Sequence, residues 1–86
     1  MSVTVYSTPT CPWCHKVKDY LEFKEVRFKD INVAADRSGA MEMIRKSGQS
    51  GVPVVDINGN IVIGFDQARI DMLLTLNLPA LSLPFL

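Results

Sequence analysis

The stretch Val3-Thr4-Val5-Tyr6-Ser7-Thr8-Pro9-Thr10-Cys11-Pro12-Trp13-Cys14 decides the architecture, because it turns from strand to helix within a few residues. Val3 to Tyr6 alternates and is β-prone, and Pro9 in the following polar segment ends the strand. From Pro12 onward, Trp13, Val17, Tyr20 and Leu21 recur at helical spacing, with Lys16, Lys18, Asp19 and Glu22 mostly on the other face. Proline suits the first helical position, where its missing N–H leaves no donor unpaired. That places Cys11 at the N-cap and Pro12 at N1.

Working outward, Val26 to Ile31 fits a second strand of imperfect alternation. A helix is predicted from about Asp36 to Ser47, with Ala40, Met43, Ile44 and Ser47 on one face, Asn32 or Asp36 as its cap, and Gly48 at its end. Val54 to Ile57 and Asn60 to Ile63 flank Asn58-Gly59, the pair best suited to a two-residue type I′ turn, so they form a hairpin. Asp66 is available to cap a last helix reaching about Leu76, in which Ile70, Leu73, Leu74 and Asn77 share a face. The order β-α-β-α-β-β-α implies a parallel strand pair joined by a crossover, a hairpin extending the same sheet, and helices on both faces. Residues 1–77 read as one α/β domain; 78–86 form an apolar tail without a charged side chain, broken by Pro79 and Pro84.

Composition narrows the possible partners. The chain has 86 residues, enough for a single core, and nine basic side chains balance nine acidic ones. No net field draws in nucleic acid or an anionic membrane. The N-terminal segment lacks a basic stretch followed by a long apolar one, and no run approaches the roughly 18 apolar residues of a membrane span. The expectation is a cytoplasmic monomer. In a reducing compartment, cysteines three positions apart are a poor structural staple, because closing so small a loop removes little unfolded-state entropy. Their value lies in chemistry.

A cysteine at a helix N-terminus faces unpaired N–H groups and the positive end of the helix dipole, and the thiolate is the nucleophile of disulfide exchange. Cys11 is therefore the expected attacking thiol. Cys14, one turn further along, lacks that exposure and is the expected resolving thiol, displacing the reduced substrate from a mixed disulfide on Cys11. Lys16 and Lys18 lie nearby but read as a solvated helix face.

The combination of a strand, Cys11-Pro12-Trp13-Cys14 opening a helix, Gly51-Val52-Pro53 before a hairpin, and Gly64-Phe65-Asp66 opening the last helix resembles the glutaredoxin family over about residues 2 to 76. The resemblance implies a thioredoxin-like fold, with a mixed four-stranded sheet and three helices on its two faces. It implies thiol–disulfide oxidoreductase activity on disulfide-containing proteins or glutathione mixed disulfides. It also implies a cis peptide bond before Pro53, with the Val52 backbone pairing with substrate, and Trp13 flanking it. The family's Gly-Gly-x-Asp-Asp-like glutathione site corresponds to Ile63-Gly64-Phe65-Asp66-Gln67, which lacks one glycine and the second acid; Thr8 stands where many members carry lysine. Glutathione is thus one candidate co-substrate and a thioredoxin reductase another candidate donor, with no tightly bound cofactor expected. Gln49 and Arg45 are further candidate contacts for a glutathione carboxylate.

Three other readings compete. Cys11-Pro12-Trp13-Cys14-His15 also spells the C-x-x-C-H haem attachment signature, but that expects an exported, mostly helical chain. A cysteine pair can join a metal site or an iron–sulfur cluster shared by two chains, although one chain supplies only Cys11, Cys14 and His15. A non-enzymatic adaptor with incidental thiols would tolerate Cys11→Ser.

Overall fold

A computed structural model describes residues 2–76, so the expectations for Asn77 and the tail 78–86 lie outside the described residues. The elements are β1 (Val3–Ser7), α1 (Pro12–Phe23), β2 (Lys29–Asn32), α2 (Arg37–Ser47), β3 (Val54–Ile57), β4 (Asn60–Ile63) and α3 (Gln67–Leu76), in the order read from the sequence. They build one mixed sheet of strand order β2-β1-β3-β4. β1 runs parallel to β2 with Val5 opposite Asp30, and antiparallel to β3 with Val5 opposite Val55. The parallel pair needs a long crossover, which α1 supplies.

The strand period of two sorts the core into halves. Val3, Val5, Val55, Ile57 and Val62 pack with Val17 and Leu21 of α1 and with Ile70, Leu73 and Leu74 of α3. Tyr6 and Val54 point to the other face, where Met43 of α2 meets them. The cysteines open α1, so they sit at the end of the sheet where β1 delivers the chain. Among the described residues no helix is long and apolar enough to cross a membrane.

Several local expectations are corrected. The second strand begins at Lys29 rather than Val26. After α1 the chain folds back, with Val26 N–H donating to the Leu21 carbonyl at 2.9 Å and Glu25 at φ 59°. Val26 and Phe28 still pack against the α1 side of the core, while Ile31 packs against the α2 side. The imperfect alternation thus reflects apolar residues serving both faces. The cap of α2 is Asp36, whose carboxylate accepts from Gly39 N–H at 2.8 Å; Asn32 instead accepts from Ala34 N–H at 2.9 Å. The buried face of α2 is Gly39 and Met43, and Ile44 is 41% exposed. Close approach to β2 rotates the helix this way: a Cβ at Gly39 would lie 2.5 Å from Ile31 Cγ2.

On the α2 side lies a polar cluster. The Tyr6 ring is fully buried, and its hydroxyl bonds the Glu42 carboxylate and accepts from Lys46 Nζ at 2.9 Å. Lys46 also meets Asp56 at 2.7 Å. The Asp56 carboxylate, then the Tyr6 hydroxyl, hold the Lys46 ammonium above its usual range. Asp56 in turn accepts from Gly59 N–H at 2.7 Å, tying the cluster to the hairpin, whose Asn58 and Gly59 both take the positive φ of a type I′ turn.

Candidate active site

Cys11 caps α1 in an extended conformation, φ −94° and ψ 111°, with Pro12 behind it at the first helical position. This conformation turns the side chain back over the first turn, where Cys11 Sγ accepts from the Cys14 backbone N–H at 3.1 Å. A hydrogen-bond donor and the positive end of a 12-residue helix therefore face one sulfur. That sulfur's residue is half-buried, whereas Cys14 is fully buried, and neither is in a disulfide. Burial pushes the Cys14 thiol up to about 11, and its hydrogen bond with Cys11 adds to this. A backbone hydrogen bond with Thr8 and the charge of Lys18 oppose it. The two sulfurs thus occupy unlike surroundings: one accepts a backbone N–H at the head of the helix, the other is buried and holds its proton.

The loop before the helix is fixed at both ends. Cys11 N–H donates to the Thr8 carbonyl at 3.4 Å, and His15 Nε2 lies 2.9 Å from the Pro9 carbonyl. A carbonyl only accepts, so Nε2 carries the proton and His15 serves as a tie for the loop.

Trp13, Val52, Pro53, Gly64 and Phe65, all chosen from the sequence, line one groove of about 320 Å³. They come from three parts of the chain: the first turn of α1, the segment entering β3, and the turn entering α3. The Val52–Pro53 peptide bond is cis, as the resemblance implies. Gly64 N–H donates to the Pro53 carbonyl at 2.9 Å, clasping the last two segments together. Gly64 takes φ 77°, a conformation open to glycine at little cost. Phe65 is fixed by Tyr20, with ring centroids 5.6 Å apart. Trp13 is 56% exposed, so it leaves the apolar face of α1, on which Cys14 precedes Val17 and Leu21; Lys16 Nζ sits 4.6 Å from its ring centroid. Among the described residues, neither the N–H nor the carbonyl of Val52 has a hydrogen-bond partner.

Two further candidates flank the groove. Asp66 caps α3, accepting from Arg69 N–H at 3.1 Å, and Gly51 N–H donates to Gln49 Oε1 at 2.7 Å. Gln49 is also committed through Nε2 to Ser47 Oγ and the Gly51 carbonyl, so its amide is folded onto its own loop. Arg45 is exposed on α2. A larger, open depression of about 840 Å³ between α1 and β2 is lined by charged side chains and includes neither cysteine.

One cluster escaped the sequence reading. Lys18 Nζ lies 3.0 Å from Asp30 Oδ2, and Ser7 Oγ donates to Asp30 Oδ1 at 2.6 Å. Ser7 is 2% exposed. The available signal was Lys18 at four residues from Cys14, on the same helix face.

The glutaredoxin family model matches residues 3–62. A glutaredoxin-like 8.6 kDa protein encoded in the rubredoxin operon of Clostridium pasteurianum is 54% identical over 72 residues, covering 84% of this chain and 96% of that protein. Glutaredoxin 3 of Escherichia coli K12 is 34% identical over 65 residues, covering 76% of this chain and 78% of its own. Among solved structures, the glutaredoxin-like NrdH-redoxin of E. coli superposes with a TM-score of 0.72 at 32% identity, over 92% of this chain and 99% of that one. Family model, relatives and a thioredoxin-like fold agree with the paired thiols at the head of α1: the chain belongs to the glutaredoxin family and, at the level of that family, is a thiol–disulfide oxidoreductase.

Proposed function

We propose that the chain is a dithiol disulfide reductase in which Cys11 attacks and Cys14 resolves. The observation that carries this reading is the asymmetry of the pair: Cys11 is half-buried and its Sγ accepts a helix N-terminal N–H at 3.1 Å, while Cys14 is fully buried. The Cys11 thiolate attacks one sulfur of a substrate disulfide, forming a Cys11 mixed disulfide and expelling the other sulfur as a thiolate that takes a proton. Cys14 then loses its proton and attacks Cys11 Sγ. The Cys11–Cys14 disulfide forms, the substrate leaves as a thiol, and two electrons have passed from protein to substrate.

The groove beside Trp13 is the docking surface in this reading. The free Val52 N–H and carbonyl suit pairing with an extended segment in β fashion, and Trp13 and Phe65 offer it apolar walls. Substrates are disulfide-containing proteins or glutathione mixed disulfides, met by a cytoplasmic monomer. Two donors fit the oxidised form: glutathione, or a thioredoxin reductase acting directly. The missing glycine and acid around Gly64-Phe65-Asp66 weaken the first. The thioredoxin-like activity profile of E. coli NrdH-redoxin supports the second.

The test follows NADPH oxidation with a disulfide substrate under each recycling system, glutathione with its reductase or thioredoxin reductase alone. Turnover with at least one, abolished by Cys11→Ser, is expected. Turnover with neither overturns the proposal.

A further inference from the structure

The resolving step poses a physical problem that the two cysteines do not solve alone. Cys14 is fully buried, and burial pushes its thiol up to about 11. Yet it must become a thiolate to attack Cys11 Sγ. Burial persists when Cys11 is held in the mixed disulfide, so it still disfavours the Cys14 thiolate, and a group that favours negative charge there speeds resolution.

Lys18 is placed to do this. It lies four residues after Cys14 in α1, hence on the same face and one turn away. Its position is held from outside the helix. Asp30 of β2 meets Lys18 Nζ at 3.0 Å, and the carboxylate is itself fixed by Ser7 Oγ at 2.6 Å. Ser7, 2% exposed, is the last residue of β1 and precedes the loop that carries Cys11. Only 19% of the Lys18 side chain is exposed. A free surface lysine swings through solvent, whereas this one is held by Asp30 at the edge of the open depression between α1 and β2. In the reduced protein Cys11 opposes ionisation of Cys14 and Lys18 favours it, and in the mixed disulfide the Cys11 thiol is consumed; Asp30 is engaged by Lys18 and Ser7, and the Nε2–H of His15 is turned to the Pro9 carbonyl.

We propose that Lys18, pinned by Asp30 and Ser7, is a positioning residue for the resolving step, stabilising negative charge on the Cys14 sulfur while keeping its own proton. The proposal rests on Cys14 being the resolving thiol. The step itself is Cys14–SH plus the Cys11–S–S–substrate disulfide going to the Cys11–Cys14 disulfide plus substrate thiol. The proton leaves Cys14 to water and one is taken up by the departing sulfur; Lys18 exchanges none.

The expected size follows from the two opposed effects of a pKa change. If removing the charge raises the Cys14 value by about one unit, the thiolate fraction falls about tenfold. The remaining thiolate is roughly threefold more nucleophilic, so resolution slows only about threefold near neutral pH. Because the Cys14 thiol lies at about 11, this deficit is the same at every pH well below that value.

The experiment reacts the reduced protein with a chromogenic aromatic disulfide across a pH series and resolves two releases of coloured thiol, the first from Cys11 attack and the second from Cys14. Lys18→Met is expected to slow the second release by the same factor of about three at every pH below about 10, and to leave the first nearly unchanged. Lys18→Arg, which keeps the charge, is expected to behave as wild type, and its fold is checked by circular dichroism beside that of Lys18→Met. A second release unchanged in Lys18→Met, a first release slowed as much as the second, or a Lys18→Arg variant as slow as Lys18→Met overturns the proposal. A second release that persists at the wild-type rate in Cys14→Ser overturns instead the assignment of Cys14 on which it rests.

Discussion

Lys46→Met should destabilise the protein by about 2 kcal/mol without slowing disulfide reduction, because the Tyr6–Glu42–Lys46–Asp56 cluster belongs to the α2 side of the sheet and the cysteines to the α1 side. Lys46 lies 2.7 Å from Asp56, and their side chains are 29% and 13% exposed. An exposed ion pair contributes about 0 to 1 kcal/mol, while breaking a buried one costs about 3 to 5 kcal/mol. This pair falls between those limits. The Tyr6 hydroxyl keeps Glu42, so most of the loss comes from leaving Asp56 without its cation. For a domain of this size about 2 kcal/mol corresponds to a Tm lowered by roughly 8 to 16 °C. The assay is thermal and urea unfolding of the reduced protein, with the Asp56→Asn and double variants completing a cycle. The double variant should lose less than the sum of the single losses, since removing both charges leaves none uncompensated. Loss below about 0.5 kcal/mol in Lys46→Met, or strict additivity, would refute the reasoning.

Three other outcomes are expected. Trp13→Ala should leave stability within about 0.5 kcal/mol, because the ring is half exposed, yet raise KM for a peptide disulfide about fivefold with little change in kcat; an unchanged KM would place the substrate away from the groove. Burial opposes ionisation of Asp30, but the Ser7 hydroxyl and the Lys18 ammonium outweigh it and hold the carboxyl below its usual value. Its contribution is therefore present above the unfolded-chain value near about 3.9 and is lost as pH falls through the lower folded value. Asp30→Asn should flatten the acid limb of a stability–pH curve and leave the slope above about pH 5 unaltered; an identical acid limb would count against the Ser7–Asp30–Lys18 link. Gly39→Ala gains about 1 kcal/mol of helix propensity but drives a methyl to 2.5 Å from Ile31, an overpacking cost of about 1 to 3 kcal/mol. A net loss near 1 kcal/mol should appear as a lower Tm, and a raised Tm would show that β2 yields easily.

Much of the fold is legible in short-range chemistry. Pro12 at the first helical position, Asn58-Gly59 between alternating strands and Asp66 before an apolar helical run each act within a few residues, and each stands where the sequence places it. The start of β2 was not legible because pairing with β1, rather than local alternation, decides where the ladder begins. The exposure of Ile44 likewise follows from the contact of Gly39 with Ile31, a tertiary constraint on the rotation of α2. In the candidate site, the motif residues were visible as separate segments, and Trp13, Val52, Pro53, Gly64 and Phe65 meet in one groove. Lys18 read as part of a solvated face because its partner Asp30 is 12 residues away and meets it only after the chain folds back from α1.

The central claim is that Cys11 forms the mixed disulfide and Cys14 resolves it. The most direct test reacts Cys14→Ser with a disulfide peptide and maps the product by mass spectrometry. The account predicts that one peptide per chain stays attached at Cys11 and is released only by added thiol, while wild type passes through to an internal disulfide. No stable adduct in Cys14→Ser, or an adduct found on Cys14 when Cys11 is replaced by serine and formed as fast as on Cys11, would contradict it.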